Sequence, residues 1–295
     1  MSSVKKIAIT TDSSCYFTQS EAKEMGVHVL PMPFFIDGET YFENVTLTQE
    51  NFYEMLKKDV EISTSQPSMG EMVDFWSEVL KEYDEIVHVP LASGLSRTYE
   101  NACMYAKEPE FNGKVFVADV RRVAFNIKQS VYDAVKLVRS GKSAQEVKDY
   151  IEKTNGDCSC YFYVDTMKYL KKGGRVTAAA AAIGTLLNIK PILRHRGEKI
   201  EKFNIARGLR KAKDLMIATV KNELETEFKS YADAGEMAIS VAYTDNEQDA
   251  RAFVEELKEL FPKIEIKFVD PLPLIIASHT GAGLLGMGCH RGLKD

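Results

Sequence analysis

Hydrophobic positions in the first half of the chain follow two alternating rhythms. Short β-branched and apolar runs, KKIAIT, VHVLPM, EIVHVPL and KVFVAD, have the length and composition of strands. Between them, apolar residues recur every three or four positions on a charged background, which predicts amphipathic helices. Three helix starts are marked. Thr18 with Glu21, Ser68 with Glu71 and Ser143 with Glu146 have the spacing of a capping box. Gly26 stands where the first of these helices should end, and Thr48 opens another, TLTQENFYEMLKK. Strands alternating with helices predict a parallel sheet covered on both faces.

After TNGD the rhythm changes. CSCYFYV reads as a strand, the basic and Ala-rich segment around TAAAAAIGTLL as helical, and KPILRHRGEKIEKFN as a hairpin about Arg196-Gly197. A charged helix over roughly 208–229 leads to strand MAISVAY, helix EQDARAFVEELKEL and strand IEIKFV. IIASHT is read as the end of a further apolar strand, running into a glycine-rich turn. The expected fold is α/β in two domains. An N-terminal parallel-sheet α/β/α domain covers 1–156, and a C-terminal mixed-sheet α/β domain covers 157–295. The boundary falls near Asn155-Gly156, and with no repeat or low-complexity linker there, the two are expected to pack tightly.

Composition changes this picture little: 295 residues, 45% hydrophobic and 27% charged, suffice for two ordinary cores. MSSVKKIAIT passes directly into a strand and no run is apolar enough for a bilayer, so the expected location is the cytoplasm. Cys15, Cys103, Cys158, Cys160 and Cys289 form no CxxC pair and read as buried thiols. The five histidines, at 28, 88, 195, 279 and 290, lack ligand spacing, and no metal is expected.

Charge adds more. The net charge of −5 argues against a general nucleic-acid binder. Yet from Lys168 to Lys213 there are thirteen Lys/Arg against two acids, Glu198 and Glu201. That excess of eleven leaves −16 for the rest of the chain. Such a swing reads either as a solvated face or as a docking surface for something acidic.

Three hydroxyl-rich junctions fall at or near strand ends, where open α/β sheets place their ligands. They are TTDSSC with Asp12, Ser13 and Ser14; STSQPS with Thr64 and Ser65; and SGLSRT with Ser93, Gly94, Ser96 and Arg97. Each alone is an ordinary helix start; together they suggest a polar pocket for a carboxylate or phosphate held by hydroxyls and backbone amides. The GxSxG elbow of hydrolases is absent, Asp12 lacks a second acid two residues on, and neither Walker A nor GxGxxG occurs. Near the C-terminus, His279 and Thr280 precede small residues that permit close approach, so the imidazole is a candidate for the same anion.

TDSS, TSQPS, SGLSRTY, LKKGGRV, IGTLLNIKPIL and HTGAGLLG, in this order and spacing, closely resemble the DegV family from about residue 6 to the C-terminus. The resemblance implies a non-enzymatic lipid carrier that binds one long-chain fatty acid, such as palmitate, stearate or oleate. It further implies presentation of the carboxylate to a separate fatty acid kinase subunit that forms an acyl-phosphate for phospholipid synthesis. No cofactor beyond the bound acid is implied, and contact with a membrane surface would be transient. Carried over by motif, the carboxylate contacts fall on Thr64, Ser93 and His279. Ser65, Gly94, Ser96 and Thr280 are neighbours, Asp12 and Ser13 line the domain interface, and Arg175 and Arg207 engage the kinase. Two departures stand out. Arg97 replaces the glycine usual in SGLSGT, and VADVRRVAFNIKQ keeps Asp119 without the Ser and Gly residues commonly found after it. The alternatives are a Ser- or Asp-dependent hydrolase, and a binder of another small ligand like the related dihydroxyacetone kinase subunit. Chain preference and oligomeric state are not legible in the sequence.

Overall fold

A computed structural model describes residues 5–58, 60–183 and 188–294. Its first half runs β1 (Ile7–Asp12), α1 (Gln19–Met25), β2 (Val27–Leu30), β3 (Phe34–Ile36), β4 (Glu39–Tyr41), α2 (Gln49–Leu56), β5 (Ile62–Thr64), α3 (Met69–Val79), β6 (Glu85–Val89), α4 (Thr98–Tyr105), β7 (Val115–Val117), α5 (Phe125–Arg139) and α6 (Ala144–Lys153). All three capping boxes close, at Thr18, Ser68 and Ser143. Strands β1, β2, β6 and β7 form a parallel sheet in the order β2-β1-β6-β7. Successive strand residues face opposite ways, which decides what each helix covers. Ile9, Val87 and Val89 pack against Ile127 and Val131 of α5 and Val147 of α6. Ala8 and Ile86, one residue out of phase, pack against Trp76 of α3 and Ala102 of α4.

A small antiparallel sheet, β4-β3-β5, was not expected from the sequence. Its β3–β4 hairpin turns on Asp37 and Gly38, both with positive φ (50° and 85°), the two-residue turn that matches strand twist. Strand β5 then pairs with β3, bringing Thr64 opposite Phe34.

The second half runs β8 (Tyr161–Tyr163), α7 (Lys168–Gly173), α8 (Ala178–Ala181), β9 (Ile189–Arg194), β10 (Glu201–Arg207), α9 (Leu209–Glu225), α10 (Lys229–Asp233), β11 (Met237–Tyr243), α11 (Glu247–Leu260), β12 (Glu265–Pro271), α12 (Leu274–Thr280) and β13 (Leu285–Arg291). Residues 184–187 of the IGTLLNIKPIL motif, read above as helical, lie outside the described residues. The strands form one mixed sheet, β10-β9-β8-β13-β11-β12, in which only β11 and β12 run parallel. One face is covered by Met216 and Val220 of α9 and Phe253 and Leu257 of α11. The other, with Phe162, Leu193 and Leu284, turns toward Val123 and Phe125 of the first half. No helix among the described residues is long and apolar enough to cross a membrane.

Two readings near the C-terminus are corrected. IIASHT belongs to helix α12, not to a strand, because a short apolar run does not declare its period. Pro273, with no N–H to leave unpaired, sits at the helix start, and Ser278 Oγ donates back to the Leu274 carbonyl at 2.7 Å. LGMG, from Leu285 to Gly288, is not a turn; it lies in β13, between β8 and β11. Its glycines permit close approach: a Cβ on Gly288 would sit 2.0 Å from the Ser159 carbonyl oxygen. Helix α12 packs onto the small first-half sheet, where Leu274, Ile275 and Ala277 share a core with Phe34, Ile36 and Ile62. That packing builds the site.

Candidate ligand-binding site

Thr64 ends strand β5, and His279 lies in the last turn of α12. The packing of α12 on the small sheet sets Thr64 Oγ1 2.8 Å from His279 Nε2. Gly173 makes room for the ring, since a Cβ there would stand 2.2 Å from His279 Nδ1. Burial pushes the His279 pKa down to about 4, and the charge of Arg175 acts in the same direction. At neutral pH the imidazole is uncharged, with one donor and one acceptor.

Around this pair the surroundings change from polar to apolar. Outside it lies a space of about 140 Å³ lined by Ser63, Tyr169, Lys172, Gly173, Arg175 and Ser278. Inside it a cavity of about 50 Å³ is walled by Met32, Leu91, Leu95, Ile200, Ile275 and Ile276, with Ser65, Gln66, Ser96 and Thr280 at its polar side. A second cavity of about 50 Å³ shares Leu95, Ile200, Ile276 and Thr280 as walls and continues between Val123, Phe125, Phe162, Leu272 and Leu284. A polar entrance, a neutral hydrogen-bonding pair and an apolar interior thus follow one another. The arrangement suits an amphiphile with one anionic end.

The other candidate residues take distinct places. Ser93 does not line these cavities; its hydroxyl donates to Asp119 Oδ1 at 2.9 Å. Gly94 lies against the backbone of Gly197 and Glu198, where a Cβ would come within 2.5 Å. Ser96 Oγ is 2.8 Å from Thr98 Oγ1 at the start of α4, and Arg97 is exposed. Asp12 and Ser13 stand one step behind the cavity wall. Asp12 accepts hydrogen bonds from Leu91 N at 2.8 Å and Ser14 N at 3.0 Å, while Ser13 Oγ accepts from Met32 N at 2.8 Å. They hold the two loops that supply Leu91 and Met32. Burial raises the Asp12 pKa, against the lowering effect of those donors.

Arg175 lines the cavity itself. It donates to the carbonyls of Gly173 at 2.5 Å and Leu95 at 3.3 Å, bracing α7 against the SGLS loop. Arg207 is exposed at the end of the edge strand β10. Much of the basic excess is paired internally: Lys172 with Glu61, Lys190 with Asp165, Arg194 with Glu201, Arg196 with Glu223 and Glu227, and Arg210 with Asp214 and Glu256.

Sequence reasoning missed Gly173 as the space for His279, and missed His195 as a wall of the inner cavity. A signal existed for the second. His195 lies two residues beyond Leu193, so strand alternation puts both on one face. Among the described residues no group of three or more His, Cys, Asp or Glu could hold a metal ion.

The family model described as "Uncharacterised protein, DegV family" matches residues 6–291. A DegV domain-containing protein of Clostridium perfringens is 32% identical over 292 residues, covering 96% of this chain and 97% of its own. Protein DegV of Bacillus subtilis is 31% identical over 285 residues, covering 95% and 98%. Two solved structures overlay along nearly the whole length. The fatty-acid-binding DegV family protein of Thermus thermophilus has a TM-score of 0.84 at 28% identity, covering 97% of this chain and 99% of that one. DegV of Bacillus subtilis, described as a fatty acid binding protein, has a TM-score of 0.81 at 28% identity with the same coverage.

Proposed function

The chain belongs to the DegV family, and from that premise we propose that it binds one long-chain fatty acid and presents its carboxylate to a partner kinase in the cytoplasm. The observation behind this reading is the position of the Thr64–His279 pair, between a polar, cationic entrance and an apolar interior. Removing a sixteen-carbon chain from water contributes roughly 12 kcal/mol, at about 0.8 kcal/mol per methylene. The head group then needs only to be hydrogen-bonded. In this reading Thr64 Oγ1 and the neutral His279 do so, and Ser93 joins them by exchanging its bond to Asp119 for one to the carboxylate.

Neutral donors leave one carboxylate oxygen free to attack a phosphorus atom supplied by the kinase, forming the acyl-phosphate with loss of the nucleotide leaving group. Arg175 adds positive potential at the entrance without being aimed at the carboxylate as a bidentate clamp, which would hold the nucleophile back. The two apolar cavities, about 50 Å³ each, are smaller than the roughly 150 Å³ void that takes benzene in a packed core. A long chain therefore enters by parting their shared wall, Leu95, Ile200 and Ile276. Among the described residues no carboxylate acts on the His279 ring, whose lowered pKa comes from burial and from the charge of Arg175. That argues against a nucleophile–base–acid triad on Thr64.

The test is the intact mass of the protein purified from a bacterial host, under native and then denaturing conditions. A native excess equal to one fatty acid, lost on denaturation and recovered in the extract, is the expected result. A protein that neither retains nor rebinds any fatty acid would overturn the reading.

A further inference from the structure

Three consecutive residues, Val123, Ala124 and Phe125, line the second cavity, beyond the wall it shares with the cavity next to Thr64 and His279. Extended backbone would send neighbouring side chains to opposite sides. Here the chain bends at Ala124, whose φ of 54° and ψ of −133° strain any residue but glycine. Helix α5 starts at the next residue, and no side-chain hydrogen bond caps it there. Such strain persists only where the surroundings enforce it, and ligand clamps are among the places where it collects.

Behind Phe125 the packing is fixed. Its ring centroid is 6.2 Å from that of His290, which stacks on Phe268 at 5.7 Å, and all three side chains are buried. His290 Nε2 lies 2.8 Å from Ser240 Oγ, and the same oxygen accepts from Phe268 N at 3.1 Å. Leu95 and Ile276 of the shared wall are, by contrast, only partly buried. We infer that Phe125 is the stop for the methyl end of the bound acyl chain and sets the longest acid that the protein takes. The chain runs inward from the Thr64–His279 pair and parts the shared wall. It then ends against a ring that yields only if His290 and Phe268 move with it. The inference deepens the carrier reading above and rests on it.

The experiment is a competition by native mass spectrometry on the delipidated full chain, among lauric, myristic, palmitic, stearic and arachidic acids. Affinity should climb with length as each added methylene leaves water, then break at the first acid too long for the cavity. In Phe125→Ala that acid should gain about tenfold relative to the shorter ones, as two more methylenes become buried. Phe125→Leu should shift the same ratio by less, and it covers a failure of the alanine variant to fold. Met32 lines only the cavity next to Thr64 and His279, so Met32→Ala should weaken all the acids alike. The inference is overturned if affinity climbs without a break through arachidic acid. It is equally overturned if the excluded acid gains nothing in the Phe125 variants, or gains as much in Met32→Ala. If none of the acids binds, the carrier reading itself falls, and this inference with it.

Discussion

Thr64 Oγ1 and His279 Nε2 meet at 2.8 Å across 215 residues of sequence. The contact joins the edge of a small antiparallel sheet to the last turn of α12, and it separates the cationic entrance from the apolar cavities. A carboxylate held there loses a hydrogen bond to a charged group when either side chain is removed, worth about 1.5–3 kcal/mol. Thr64→Val and His279→Ala should therefore each weaken fatty-acid binding by about ten- to a hundredfold in a displacement titration. The circular dichroism spectrum should stay unchanged. Full-strength binding by both variants would remove the pair from the site.

Parts of this arrangement were legible in the sequence. Capping chemistry is local, so Thr18 with Glu21, Ser68 with Glu71 and Ser143 with Glu146 read correctly as helix starts. The parallel sheet followed from the alternation of strands and helices. Asp37-Gly38 signalled the missed hairpin as well, between runs of only three residues. Helix α12 and strand β13 were hidden for a different reason. Pro273 and Gly288 usually break structure, and here one starts a helix while the other lets two strands approach. The motifs pointed to His279, but its distance from Thr64 and the pairing of Ser93 with Asp119 are tertiary facts that no local pattern encodes.

Gly173 offers a sharper test of the geometry. A methyl there would stand 2.2 Å from His279 Nδ1, so the ring must move. Overpacking of this kind costs about 1–3 kcal/mol. Gly173→Ala should lower the melting temperature slightly and reduce ligand retention by at least about tenfold, if the displaced ring forfeits one charge-assisted bond. Unaltered retention would show that the ring's position is immaterial to binding.

Arg175 and Arg207 should separate in their effects. Arg175 lines the cavity and its charge helps hold the His279 pKa down, whereas Arg207 is exposed at the end of β10. In Arg175→Ala, the His279 resonances should titrate at higher pH than in the unaltered protein, and fatty-acid affinity should fall a few-fold. Arg207→Ala should leave both unchanged, and any effect should appear only in phosphorylation by a kinase. Titration of both variants by NMR, with a binding assay, decides the point. Identical His279 titration in Arg175→Ala would contradict the assigned charge effect.

The buried histidines make stability depend on pH in a definite direction. His88, bonded to Thr10 Oγ1 at 2.8 Å, has its pKa lowered from 6.5 to about 3 by burial, and His195 has its lowered to about 4. Between those values and 6.5 the unfolded chain binds more protons than the folded one, so stability rises with pH. Each contribution is fully present above about 6.5 and is lost on acidification, by as much as about 1.4 kcal/mol per pH unit per histidine. The ring resonances of His88 and His195 should therefore remain those of neutral imidazole down to pH 5, and protonation of either ring near pH 6.5 would contradict its assigned burial.

Glu43 works in the opposite sense, and it touches the helix that carries His279. Its carboxylate accepts hydrogen bonds from Leu274 N and from Gln49 Nε2, both at 2.7 Å, anchoring the start of α12 to the loop after β4. Burial raises its pKa from 4.5 to about 7, against the lowering effect of those two donors. A folded-state pKa above the unfolded one contributes stability that is fully present below about 4.5 and is lost as pH rises through 7. Glu43→Gln keeps an acceptor for Leu274 N and removes the buried charge. At pH 8 it should therefore be more stable than the unaltered protein by about 2 kcal/mol, and the difference should shrink toward pH 5. Glu43→Ala leaves Leu274 N without its partner, so it should be the less stable variant at both values and should loosen ligand retention through α12. Melting temperatures at pH 5 and pH 8 for the three proteins distinguish a titrating anchor from a permanently ionised one. If Glu43→Gln were less stable than the unaltered protein at pH 8, the charged form would be the one the fold prefers, and the assigned direction of the shift would be wrong.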